Sequence, residues 1–297
     1  MNKLADLLKW MMKPLSDKQF LYIDFLRARH RFLHLQNPVT FSEKIQWTKL
    51  YGNLQNNYIY VDKYLVREHV AGAIGEQYLV PLIGTWASFD EIPFEQLPGK
   101  FVLKATHGSG HNFICKDKNK LNKEELRAAV GRWLSEDFSA KHREVQYTQC
   151  QPRLICEEYI ESTPGEELKN YEFYCTNGVP RIIEVNSGDG AMHRSNVFDA
   201  QWNKVPVKFG YHEHEHKIPK PTNLDEMLRL SRMLSKQFPF VRVDFYSINE
   251  KIFFGELTFT PGAGIGNLFK PREADLMFGS LIDLSAYNLE KNQRNNV

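Results

Sequence analysis

Two apolar segments near the C-terminus, residues 240–247 (FVRVDFYS) and 252–259 (IFFGELTF), read as a hairpin that carries charge where strands of this composition normally carry none. Side chains alternate between the faces of a strand. Arg242, Asp244 and Tyr246 therefore share one face, with Val241, Val243 and Phe245 on the other. On the second segment Phe254, Glu256 and Thr258 share a face. Asp244 and Glu256 lie nearly symmetrically about the turn, so they are expected close together across the ladder. Charges among such neighbours need partners. One solution is a structural salt bridge from Arg242 to either carboxylate. The other is a divalent cation between the carboxylates. Mg²⁺ favours this, with a few carboxylates and phosphate oxygens around it. Arg242 would then be free to meet a phosphate, or charge growing on a reacting carbonyl.

The rest of the chain alternates helices with antiparallel hairpins, which predicts an α+β architecture of several lobes. Residues 1–35 read as helical. Thr40 to Glu43 has the form of a capping box that opens a helix running toward Leu50, and another helix is expected over 58–73. Asn122 and Glu125 mark a further start, with Leu126, Val130, Trp133, Leu134 and Phe138 at helical spacing. Strand-like runs at 171–176 and 179–185 flank Asn177-Gly178, a strong hairpin signal. Asn223 is expected to cap a helix over 224–238, with Glu226 three residues on. The domain reading is a helical region at 1–90, a small lobe at 91–160 and a larger lobe at 161–297.

Lys104 interrupts the apolar run 101–106 (FVLKAT), a position where lysine is rare unless paired. His107, Gly108, Ser109 and Gly110 follow, then His111. Exposed backbone amides in such a turn can cradle phosphate oxygens, although the spacing is not that of a P-loop. By itself the turn is ordinary. Lys63, in the Asp62-Lys63 pair, reads alone as an exposed helix lysine. Residues 155–160 (ICEEYI) place Glu157 and Glu158 in a run that is either a solvated edge strand or a hinge whose backbone meets a nucleotide base.

The order of these features is more specific than any one of them. Lys63, then Lys104 with a glycine loop, then E-E-Y-I, then R-V-D, then E-L-T-F-T-P-G resembles the ATP-grasp superfamily over residues 60–285. The whole chain is similar to the TupA-like (teichuronopeptide biosynthesis type) amidoligase family. That likeness rests on Asn37 to Trp47, Val61-Asp-Lys63, Lys104 to Gly110, Arg242 to Tyr246 and Phe254 to Gly262. It implies two α+β lobes clasping ATP. Lys63, Lys104 and residues 107–111 would hold phosphates. Glu157, Glu158, Tyr159 and Ile160, with Glu166 beyond them, would hold the nucleoside. Asp244, Glu256 and Thr258 would hold Mg²⁺, and Arg242 and Lys104 would assist acyl-phosphate chemistry. Two departures stand out. Thr258 replaces an Asn common in the superfamily. Asn170-Tyr-Glu172 replaces an Asp-Tyr-Lys, leaving Lys169 and Arg181 as candidates for the missing phosphate contact.

The resemblance implies an ATP-dependent ligase joining a small-molecule carboxylate, such as a uronic acid, to an amine or polysaccharide precursor in surface-polysaccharide synthesis. Asp189, His193 and Arg194 in the loop 186–194 are the substrate candidates, with His193 as a base and Arg194 as a carboxylate holder, together with Gly262 in the turn after Glu256. A kinase on the same scaffold, a nucleotide-binding assembly protein and a glycosyltransferase remain as alternatives. The net charge of +2 argues against a nucleic-acid partner. The four cysteines form no C-x-x-C pair, so a thiolate zinc site is not expected and a reducing cytosol fits. Residues 4–12 are apolar but interrupted by Asp6 and Lys9. They read as a packed amphipathic helix, with peripheral contact at the inner face of a membrane as the alternative and no membrane span. His212 to His216 (HEHEH) reads as a solvated run, with transition-metal binding as the alternative.

Overall fold

The computed structural model describes residues 14–161, 168–188 and 192–287. The apolar segment 4–12 and the polar tail beyond residue 287 lie outside them. Among the described residues the helices are α1 (Asp17–Arg29), α2 (Phe41–Tyr51), α3 (Tyr58–Val61), α4 (Val66–Ala73), α5 (Lys123–Ser135), α6 (Phe138–His142), α7 (Leu224–Ser235) and α8 (Arg272–Leu281). None of the helices in this region is long and apolar enough to cross a membrane.

The strands form two antiparallel sheets. The smaller has the order β1 (Leu82–Trp86), β4 (Leu154–Glu158), β2 (Phe101–Ala105), β3 (Asn112–Cys115). The larger has the order β7 (Arg194–Asp199), β6 (Val179–Ser187), β5 (Asn170–Thr176), β8 (Phe240–Ile248), β9 (Lys251–Thr258). The α+β expectation holds. The small sheet reaches back to Leu82, upstream of residue 91. The helical region belongs to the large sheet's core, because Phe41 on α2 is fully buried against Tyr174, Phe240, Phe269 and Phe278.

Local signals are realised where local chemistry decides. Thr40 accepts from the Glu43 amide, and Glu43 accepts in return from the Thr40 amide. Asn122 caps α5 through the Glu125 amide. Asn177 and Gly178 take φ 48° and 75°, the turn that matches the twist of a two-residue hairpin. Two expectations fail. Asn223 makes no capping bond to α7, because its amide group donates to Ser247 Oγ and the Glu250 carbonyl and so ties the helix to the β8–β9 turn. The helix over 58–73 is two helices, broken where Asp62 turns extended (φ −72°, ψ 119°).

Candidate active site

The Asp244–Glu256 pair is made by a bulge that strict alternation does not foresee. Val243 pairs with Leu257 and Phe245 with Phe254, so Asp244 alone faces both Gly255 and Glu256. The extra residue switches the face of β9. Phe254 therefore packs in the core against Phe245, at 6.4 Å between ring centres, and does not share a face with Glu256 and Thr258. A side chain at Gly255 would sit 3.1 Å from the Asp244 carbonyl and press on the backbone of the bulge.

Arg242 ties the charged face together. Its Nε donates to Asp244 Oδ1 at 2.8 Å, and its Nη2 donates to Asp244 Oδ2 at 2.5 Å and to Glu256 Oε1 at 3.1 Å. Its Nη1 lies 3.0 Å from Glu172 Oε2. Glu172 stands directly opposite Asp244 on β5, and Glu184 directly opposite Glu172 on β6. Three carboxylates thus form a row across three strands, an arrangement that repels unless cations intervene. Burial pushes Asp244 up to about 7 despite Arg242 beside it, and burial likewise raises Glu172. Burial opposes the Arg242 cation, but Asp244 and Glu172 outweigh it and hold its pKa above the usual range. Thr258 donates to Glu256 Oε1 at 3.0 Å, which orients that carboxylate.

Lys63 reaches the site because the helix breaks. Buried Asp62 accepts from the Tyr64 and Leu65 amides, and the Lys63 amide bonds the Thr106 carbonyl. Lys63 Nζ then donates to the Gly108 carbonyl at 2.5 Å, and burial lowers its pKa. Lys104 Nζ donates to Glu157 Oε2 at 2.7 Å, while Arg67 donates to Glu157 Oε1 at 2.9 Å. Arg67 is a third cation of the groove that sequence reasoning missed. Its signal was a position one helical turn beyond Lys63. Lys169 and Arg181 are the candidates for the missing phosphate contact. Neither lines the groove, and Arg181 donates to Thr176 near the far end of its hairpin.

A groove joins these parts. A cavity of 1130 Å³ is walled by Arg67, Tyr78, Ile252, Phe253 and the segment Glu158, Tyr159 and Ile160. A smaller cavity of 200 Å³ follows, lined by Lys63, Lys104, Ser109 to Asn112, Asp244 and Glu256. Beyond Arg242 and Glu172, which line both, lies a chamber of 120 Å³ that also takes in His193 and Gly262. Glu157 is buried and Glu158 is exposed. His107 is turned away from the groove, with Nε2 3.1 Å from the Trp133 carbonyl. His111 stacks on Trp133 and hydrogen-bonds Glu136, and it borders the cavity lined by Lys63 and Lys104. Arg194 begins β7, donates to the His193 carbonyl and does not line the chamber. Glu166 and Asp189 lie outside the described residues.

Two lysines from separate elements, a glycine loop, a hinge strand and a bulged carboxylate pair define an enzyme of the ATP-grasp class. The chain belongs to the TupA-like ATP-grasp family, whose model matches residues 43–283. No curated protein matches it. Among solved structures it is similar to the D-alanine–D-alanine ligase of Bacillus anthracis, at 17% identity and TM-score 0.48, over 79% of this chain and 69% of that one. It is also similar to the Helicobacter pylori D-alanine–D-alanine ligase, at 16% identity and TM-score 0.39, over 76% and 62%. A third is a RimK domain ATP-grasp protein of Sphaerobacter thermophilus, at 10% identity and TM-score 0.41, over 77% and 69%. The chain thus spans 62% of the length of the second of these.

Proposed function

We propose that this enzyme is an ATP-dependent carboxylate–amine ligase that forms an amide through an acyl phosphate, with a uronic acid or similar carboxylate of surface-polysaccharide synthesis as one substrate. The observation that carries the reading is the groove's continuity. It runs from residues 158–160 through a narrow passage lined by Arg67, Lys63 and Lys104 to Asp244 and Glu256, and ends in the small chamber beside Arg242.

The residues suit ATP and Mg²⁺. Among the described residues no three His, Cys, Asp or Glu side chains gather to hold a metal by themselves. Asp244 and Glu256 would hold Mg²⁺ with phosphate oxygens completing its shell. Bound there, the ion would relieve the carboxylates' repulsion and offset charge on the transferring phosphoryl group. Lys63, Lys104 and Arg67 place positive charge along the groove, where positioning and electrostatics dominate phosphoryl transfer. A carboxylate oxygen attacks the γ-phosphorus, and the bond to the ADP oxygen breaks. The neutral amine nitrogen then attacks the acyl carbon, the carbon–oxygen bond to phosphate breaks, and the proton lost by nitrogen leaves with the inorganic phosphate. Arg242 borders both the phosphate end and the chamber, so its guanidinium can donate to the oxygen that gains charge in the second step. Ser109 and Gly110 wall the cavity beside Asp244 and Glu256, where they would limit the access of water to the intermediate.

The test is incubation with ATP, Mg²⁺ and uronic-acid sugars crossed with amino acids, reading ADP and product mass together. ADP with a product one water lighter than the two substrates supports the ligase. ADP with a phosphorylated product and no need for an amine contradicts it in favour of a kinase.

A further inference from the structure

Four carboxylates, Glu172, Glu184, Asp244 and Glu256, share one face of the large sheet, and Arg242 is the cation bonded to three of them. Glu184 is the exception. It is 2% exposed, and among the described residues no basic side chain pairs with it. Its carboxylate is held by neutral donors: Tyr174 Oη gives a bond of 2.7 Å to Oε2, and Ser195 Oγ one of 2.9 Å to Oε1. A buried carboxylate solvated by two hydroxyls leaves acceptor capacity for a cation. A second observation points the same way. Asn186, two residues along β6 and so on the same face, is 8% exposed, and its Oδ1 has no partner. Glu172, Glu184 and Asn186 all line the 120 Å³ chamber beside Arg242. The metal pair Asp244 and Glu256 does not line it.

We propose that Glu184, Glu172 and Asn186 form the subsite for the ammonium group of the amine substrate, and select a primary amine. The three N–H donors of a primary ammonium match three acceptors on adjacent strand positions. A trimethylated nitrogen carries no N–H donor and leaves these acceptors unpaired. The same site presents the nitrogen next to Arg242, which borders the phosphate end. The excess negative charge of the face is thereby divided between two cations, one at the carboxylate pair of the bulge and one in the chamber. This rests on the ligase reading, since only that reaction needs an amine beside the acyl group.

The experiment is titration calorimetry of the full chain, free and saturated with Mg–ADP. The probes are ethylamine hydrochloride and glycine, with tetramethylammonium, betaine and potassium chloride as controls. A primary ammonium probe is expected to bind and its methylated counterpart is not. Glu184→Gln, which keeps the side chain's size and can still accept from Tyr174, should weaken that binding at least tenfold, as should Asn186→Ala. Mg–ADP binding on the same samples reports that each variant is folded. Equal amine affinity in Glu184→Gln and the parent overturns the proposal. So does equal binding of the methylated probes, or binding of potassium alone. Failure of Mg–ADP to bind would sink the nucleotide reading instead, while the free-chain titration still decides the ammonium subsite.

Discussion

The Lys63 ammonium donates to the Gly108 carbonyl across 2.5 Å, so a residue between two short helices holds the glycine loop of the small lobe. Asp62 makes this possible by capping the Tyr64 and Leu65 amides from a buried position. Lys63→Met should weaken ATP binding by roughly tenfold or more, as expected for loss of a charge-assisted contact. Asp62→Ala should cost about 1–2 kcal/mol of stability as well, since it removes a cap. Calorimetry with Mg–ADP and urea unfolding separate the two effects.

Gly108 has φ 92°, and a Cβ there would stand 2.5 Å from the Phe138 ring. Gly108→Ala should therefore displace the loop and weaken nucleotide binding. The double variant Gly108→Ala/Phe138→Ala should recover only part of the loss, because it removes the clash and leaves the left-handed strain of about 1 kcal/mol. Full recovery in a binding titration would mean that strain is not a factor.

Arg242 meets Glu172, Asp244 and Glu256 with all three nitrogens of one planar group, Nη2 being shared between Asp244 and Glu256. Lysine offers a single nitrogen and cannot reproduce that fork. Arg242→Lys is expected to lower kcat by roughly a hundredfold or more, in the range seen when an oxyanion donor is lost. Steady-state kinetics with the amide-forming pair would check this, and unchanged kcat would remove Arg242 from the chemistry.

Lys49 donates to the carbonyls of Ala263 and His142 and to Gln46 Oε1, and so anchors the turn after β9. Burial pushes its ammonium down to about 8. Between pH 8 and its ordinary value of 10.5 the unfolded chain holds a proton that the folded chain has released. Lys49 therefore costs most below pH 8, and its contribution to stability rises with pH through that window. Relative to Lys49→Met, the parent should gain up to about 1.4 kcal/mol per pH unit between pH 8 and 10. Urea unfolding of both proteins at pH 7.5, 8.5 and 9.5 measures the gap, and a constant gap would contradict it.

What could be read from sequence was what neighbours in the chain decide. The Thr40–Glu43 box, the Asn122 cap and the Asn177-Gly178 turn each depend on residues within one turn of one another. β1 was missed because Leu82–Trp86 is short and follows a proline. β7 and α8 were also missed. Arg194 was read as the end of a loop when it opens a strand. Of the site, Lys104, Asp244, Glu256 and Arg242 were legible because charge interrupts apolar runs. The bulge at Gly255 was not, since register is set between strands and one extra residue exchanges the faces. The same reason hid Glu184. Its meaning comes from lying opposite Glu172, a relationship that exists only once β5 and β6 pair.

The acyl-phosphate route is tested most directly by following oxygen. Candidate carboxylates labelled with ¹⁸O would be turned over with ATP, Mg²⁺ and an amine, and the released phosphate read by ³¹P NMR. The account predicts one ¹⁸O in the inorganic phosphate for each amide formed, because a carboxylate oxygen bonds the γ-phosphorus before it leaves. Unlabelled phosphate accompanying amide formation, or release of AMP and pyrophosphate, would contradict it.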